Sequence, residues 1–209
     1  GGMDQATGAI GAGSVSSDII SETTGAAMAV QVTTPLPDLR SGERIALYAH
    51  SLPGVYLYVP TLPTGGMSFK WFRDAFGEAE MQAAAASGQD AYDMLTALAA
   101  TAPPGSDGLV MLPYLMGSLS PEENPAARGV FSGFTLRHSR AHFVRAILEG
   151  VAFNLRHNVD VLGKAGLHFS ELRSSGGGAR SQLWSQIKAD VCGLPVVTLA
   201  NAEAALLGD

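Results

Sequence analysis

Three consecutive glycines, Gly176, Gly177 and Gly178, separate a short segment that starts at Glu171 from a helical pattern that runs to Asp190. Glycine has no Cβ, so the main chain there can take positive φ and a flat or charged ligand can lie directly against it. A helix opening after such a run adds unpaired N–H groups and the positive end of its dipole, a combination that suits a nucleotide. A tight turn that binds nothing is the other reading of the same glycines. Asp4 is the second focus. It follows Gly1-Gly2-Met3 and precedes QATGAIGAG, a small-residue run able to start a helix, so its carboxylate stands where a substrate can approach the backbone closely. An N-cap role for Asp4 is the alternative. Thr23, Thr24 and Gly25 lie between two strand-like segments, where hydroxyls and N–H groups can hold phosphate oxygens, although most such turns hold nothing.

Other candidates are weaker. Gly8, Gly11 and Gly13 invite a dinucleotide reading, but their order is not G-x-G-x-x-G after a strand, and the acidic residue such a site needs further on is missing. His138 and His142 are four apart near a helix start without an acidic or thiol partner, which favours a surface role. Cys192 reads as core rather than nucleophile, because no positive neighbour would depress its pKa. Trp71 and Trp184 read as packing residues on helical faces.

These residues need a scaffold, and 209 residues at 46% hydrophobic content suffice to bury one. With 13 basic and 19 acidic residues the formal charge is −6, and no Lys/Arg cluster offers a footprint for nucleic acid. A single cysteine fits a reducing compartment, with cytoplasm the default. No stretch approaches the ~20 apolar residues that cross a bilayer, and no basic-then-apolar signal segment opens the chain. The sequence opens on Gly1-Gly2 and stops within EAALLGD, a helical pattern, so the expectation is a piece of a longer polypeptide.

Along the chain, β-branched and aromatic segments from Asp18 to Val59 predict an antiparallel meander, with two strands joined at Pro53-Gly54 between Ala46 and Pro60. Ser68 to Ala102 turns helical, with Phe69, Phe72 and Phe76 on one face. GLVMLPYL (108–115) reads as a buried strand, and GVFSGFTL (129–136) alternates like one, with an irregular loop between them. Ser139 to Leu162 is the clearest helix: Phe143, Ile147, Val151, Leu155 and Val159 recur every four residues, while Arg145, Arg156 and Asp160 fall elsewhere on the cylinder. Gly163 and Gly166 end it. Gly150 in its middle costs about 1 kcal/mol against alanine, which predicts a close backbone approach there. A helix from Ser181 to Val191, a strand from Leu194 to Ala200 and a last helix from about Asn201 complete a mixed α/β domain.

In order and spacing, GGMDQATGAIGAG, ETTG, PYLMGSLSPEENPAARGVFSGFT, RAILEGVAFNLRHNVDVL and SSGGGARSQLWSQIKADVCGLPV resemble the C-terminal half of the FGGY carbohydrate kinases, the xylulokinases in particular. The resemblance spans nearly the whole chain, and its most specific parts are GGGARSxxWxQIKAD and ARGVFxGxT. It implies an α/β, actin-like ATPase and ribonuclease H-like fold, a mixed sheet flanked by helices. It also implies that 1–17 are the end of an N-terminal sugar-binding domain and its hinge, and 18–209 a C-terminal ATP-binding domain cut at its C-terminal end. The activity implied is ATP-dependent phosphorylation of a sugar hydroxyl, that of a pentulose such as D-xylulose, or of gluconate or another polyol. Asp4 then matches the catalytic aspartate and Gln5 a residue near the sugar hydroxyls. Thr24 and Gly25 fall on the loop facing the ATP phosphates, Gly176, Gly177 and Gly178 on the turn bordering the adenosine, and Ser181 where a polar side chain meets the adenine edge. ATP and Mg2+ are the implied cofactors, with no metal ligand within this chain; a small-molecule sugar is the implied partner, nucleic acid and membrane are not, and a homodimer is one form the resemblance allows. Two departures stand out. Ala26 replaces a common threonine, and Gly117-Ser118-Leu119 replaces a common G-E-R. They motivate a rival reading, an actin-like ATP-binding sensor or scaffold without catalysis.

Overall fold

The computed structural model describes residues 3–38 and 45–199. Helix α1 (Asp4–Gly11) precedes the hairpin of β1 (Ile19–Thr24) and β2 (Met28–Thr34), followed by β3 (Leu47–Ala49), β4 (Tyr56–Tyr58) and β5 (Thr61–Leu62). Three helices come next, α2 (Gly65–Phe76), α3 (Glu78–Ser87) and α4 (Ala91–Ala100), then β6 (Val110–Leu112) and β7 (Val130–Ser132). The long α5 (Arg140–Lys164), β8 (Glu171–Ser175), α6 (Gln182–Cys192) and β9 (Val196–Thr198) close the described chain.

The main sheet runs β3-β4-β2-β1-β8-β9, with β5 also on β2. The first part is the expected antiparallel meander: β1 pairs with β2, β2 with β4, and β4 with β3, the last two strands being joined through Pro53-Gly54. On its other side β1 takes β8 in parallel, and β8 takes β9 in parallel across α6. Parallel neighbours need such crossovers, so the helical second half of the sequence supplies what the meander cannot.

The two faces of the sheet differ. Ile20, Val30, Val32 and Leu172 point into the main core with Ile147, Leu148 and Val151 of α5 and Trp184 and Ile187 of α6. The opposite face meets α1 through Ala6, Ala9, Leu57 and Val59. Around these, Ser21 donates to the Gln31 side-chain oxygen at 3.0 Å, Gln31 donates to the Gln5 side chain at 2.7 Å, and Thr33 donates to the Ser14 carbonyl at 2.7 Å. The α1 layer thus mixes small apolar residues with satisfied polar groups, whereas the α5–α6 layer is mostly apolar.

Helix α5 follows its four-residue pattern, with Ser139 at the cap and Ile147, Val151 and Leu155 buried. Arg145, off the apolar stripe, is nevertheless buried: its Nε contacts Glu149 at 2.7 Å, and the Gly105 N–H and the Ser106 hydroxyl also converge on that carboxylate. Gly150 does lie under a backbone: a Cβ added there would run into the Met111 carbonyl oxygen. Gly150→Ala should therefore lower stability by about 1–3 kcal/mol, overpacking outweighing the helix propensity gained. Urea unfolding of the pair checks the sign.

Other expectations shift. The stretch 68–102 is helical as expected, but in separate helices divided at Gly77 and Gly88, the latter at φ +74 as a left-handed cap. The 108–115 run is not a buried strand. Only Val110–Leu112 pairs, with β7, and Val110 and Leu112 face outward while Met111 is buried. Trp71 is 38% exposed against Phe76 rather than packed inside. Ala200 and the helix expected from Asn201 lie outside the described residues.

Candidate functional site

At the end of β1 the chain turns through Thr24 and Gly25 into β2, and β8 ends beside it in parallel register, with Thr23 opposite Ser175. That register brings the three glycines against the hairpin. Gly176 adopts φ 77, ψ −170, a conformation open in practice only to glycine, and a Cβ on it would lie 2.8 Å from the Thr24 carbonyl oxygen. A Cβ on Gly178 would lie 2.7 Å from the Thr24 Cβ and 3.3 Å from Trp184. Gly177 is different, with the Thr24 carbonyl oxygen at 3.9 Å as its nearest neighbour. Two of the glycines let the turns touch, and the third presents bare main chain to space. The helix does not open directly on them: Gly177–Arg180 forms a 3-10 turn, and Ser181 then caps α6 by accepting from the Trp184 N–H at 3.1 Å.

A cleft of about 360 Å³ occupies this junction. Its walls include Thr24, Gly25, Ala26, Gly177, Gly178 and Ser181, so most of the sequence-predicted nucleotide residues come together; Gly176 supports the turn from outside the lining. Sequence reasoning missed the opposite wall, which α2 and α4 provide through Gly66, Phe69, Tyr92 and Thr96. Gly66 packs so closely on Gly25 that a Cβ would overlap the Gly25 carbonyl oxygen, and the Met67 N–H donates to the Ala26 carbonyl at 2.9 Å. Phe69 stands between Trp184, edge-on at 6.0 Å between centroids, and Tyr92 at 5.1 Å. The cleft combines an aromatic cluster with bare main chain, surfaces that suit a base and its phosphates, and Lys70, Asp90, Asp93 and Arg180 add charge to its lining.

Beneath the hairpin lies a buried charge network. Glu22 and Lys188 side chains are both 0% exposed and in contact at 2.5 Å. Thr24 Oγ1 donates to Glu22 Oε2 at 2.6 Å and accepts from Lys188 Nζ at 3.2 Å, and the Ser174 hydroxyl donates to Glu22 Oε1. The Thr24 proton is thereby committed inward, so its hydroxyl is not a donor to phosphate and the hairpin meets a ligand with main chain. Lys188 Nζ also sits 5.0 Å from the Trp184 ring centroid.

Asp4 and Gln5 do not line this cleft. Met3, extended at φ −65 and ψ 138, holds the cap position, so Asp4 is the first helical residue rather than the cap. Asp4 is exposed, and Gln5 is oriented by Gln31. Ala26 exposes a methyl at the cleft where a threonine would offer a hydroxyl. In the loop after β6, Ser118 is buried and exchanges two 2.9 Å main-chain bonds with Asn124, while Leu119 is half exposed.

The remaining candidates take structural roles. His142 completes a capping box with Ser139 and its Nε2 is 3.3 Å from Asp107, an acidic neighbour that lies 35 positions away in sequence. Among the described residues no group of three His, Cys, Asp or Glu could hold a metal. Burial pushes the Cys192 thiol up to about 12, so it is no nucleophile at neutral pH. Among the described residues no helix is long and apolar enough to cross a membrane.

Residues 19–209 match the FGGY family of carbohydrate kinases, C-terminal domain. The chain is 34% identical over its whole length to a gluconokinase of Bacillus subtilis and 29% identical to a xylulose kinase of Staphylococcus epidermidis, covering 40% of each. It superposes on the crystal structure of xylulose kinase from Rhodospirillum rubrum with a TM-score of 0.83 at 35% identity, over 98% of this chain and 39% of that one. It therefore spans about two fifths of the length of these relatives, and the sheet order described above is that of the actin-like, ribonuclease H-like fold.

Proposed function

Because the chain belongs to the FGGY family of carbohydrate kinases, we propose that the protein containing it transfers the γ-phosphoryl group of ATP to a sugar hydroxyl. The observation that carries this reading is the cleft itself, where an aromatic cluster of Trp184, Phe69 and Tyr92 and bare main chain at Gly25, Gly66 and Gly177 line one opening. The aromatic side takes the adenine, with the Ser181 hydroxyl at its edge, and the glycine turn of 176–178 borders the adenosine. The exposed main chain of the Thr24–Gly25 hairpin lies against the phosphates.

Asp4 accepts the proton of the attacking sugar hydroxyl, since an alcohol is a poor nucleophile until its proton has somewhere to go. Gln5, held by Gln31, orients a second hydroxyl. Magnesium in such enzymes neutralises phosphate charge, and among the described residues no group of three His, Cys, Asp or Glu could hold it by side chains alone.

The boundary between a sugar domain ending at residue 17 and an ATP domain from 18 is supported by the family match, which starts at residue 19. Substrates of the pentulose or aldonate class fit relatives named xylulose kinase and gluconokinase. A cytoplasmic location fits the single buried cysteine, and a homodimer is the assembly proposed. The test is a panel of pentuloses, aldonates and polyols with ATP and the full-length protein, read as ADP formation. At least one should raise ADP release far above the rate with ATP alone; a flat panel overturns the reading.

A further inference from the structure

The ion pair of Glu22 and Lys188 lies out of reach of any ligand, yet each partner is bonded to a wall of the cleft. Lys188 Nζ touches Glu22 at 2.5 Å and Thr24 Oγ1 at 3.2 Å, and lies 5.0 Å from the centroid of Trp184. Glu22 spreads its two oxygens over Lys188, Ser174 and Thr24, tying β1 to β8 and both to α6. Burying two full charges is costly, and an apolar pair of similar volume would hold the layers together as well or better. What an apolar pair cannot do is fix a hydroxyl and a ring in one direction.

We infer that Glu22 and Lys188 are positioning residues for the nucleotide, locking the Thr24–Gly25 main chain and the Trp184 ring at the separation a bound adenine nucleotide requires. This rests on the kinase reading for the identity of the ligand. Through Thr24 the network sets where the hairpin main chain lies; through Trp184 it sets the aromatic surface. The Thr24 methyl, wedged where a Cβ on Gly178 would fall, transmits the same constraint to the glycine turn.

The experiment measures ADP dissociation constants by calorimetry, with melting temperatures, for the full-length protein and four variants. Lys188→Met leaves a carboxylate buried without its cation and risks misfolding. The double variant Glu22→Gln with Lys188→Met is neutral and close in volume. Thr24→Val keeps the methyl and the ion pair but removes the hydroxyl that links them to the hairpin. The double variant and Thr24→Val should stay folded and bind ADP about tenfold more weakly, as when one or two contacts are misaligned. In turnover assays KM for ATP should rise while KM for the sugar stays fixed, a split that a merely structural role would not produce. Lys188→Arg, which restores the charge, should recover part of the affinity. ADP affinity within about twofold of wild type in both Thr24→Val and the double variant overturns the inference. A wild-type protein that binds ADP without sugar-stimulated turnover removes the kinase reading alone, and the ADP ratios still decide this one; a wild type that binds no nucleotide overturns both.

Discussion

Asp4→Asn in the full-length protein should cut kcat for sugar phosphorylation by about a thousandfold, the scale of a lost general base, with ADP affinity unchanged. The amide has the shape of the carboxylate and gives up only about 0.3–1 kcal/mol of helix-dipole attraction in the first turn, so α1 should form as before and keep Gln5 bonded to Gln31. What the amide lacks is the ability to take a proton. Because Asp4 stands outside the lining of the nucleotide cleft, binding and chemistry are separable at this position as they are not at Thr24 or Gly25. Single-turnover kinetics with calorimetric ADP binding on the same preparation checks both halves. Near-normal turnover would remove Asp4 from the role of base.

The second large effect distinguishes two adjacent glycines. Gly178→Ala places a methyl 2.7 Å from Thr24 Cβ and 2.8 Å from its Cγ2, against a side chain that the Glu22–Lys188 pair prevents from yielding. The turn must shift, at about 1–3 kcal/mol of stability, and ADP affinity should fall with it. Gly177→Ala adds the same methyl where the nearest heavy atom is 3.9 Å away, so its unfolding free energy should stay within about 0.5 kcal/mol of wild type. If nucleotide occupies that space, ADP binding should nevertheless weaken about tenfold, the loss falling on the ligand alone. Equal losses of stability in the two variants, or full ADP affinity in Gly177→Ala, would contradict this division of labour.

The long helix was legible because α5 repeats its apolar residues over many turns, and the hairpin at Thr24–Gly25 because β-branched runs flank a glycine. The glycine turn was legible as a ligand seat, though not the 3-10 turn that precedes the helix, since local sequence does not show where hydrogen bonding settles after three flexible residues. The α2–α4 wall was invisible for a different reason: Gly66, Tyr92 and Thr96 reach the cleft only through tertiary packing. The buried charges did carry a signal. Trp184, Lys188 and Cys192 are spaced by four on α6, so the lysine falls on the buried stripe, and Glu22 shares a strand face with Ile20 and Thr24. Charged side chains are taken for solvent-facing by default, and that default concealed the pair.

The unequal faces of the sheet carry a mechanical consequence. Detaching α1 would bare little oil: small alanines, one leucine and one valine, plus amides and hydroxyls that water can re-pair. Detaching α5 or α6 would bare the main core. The seam beside Asp4 is therefore the more weakly held of the two faces, and the one whose contacts water can most readily replace.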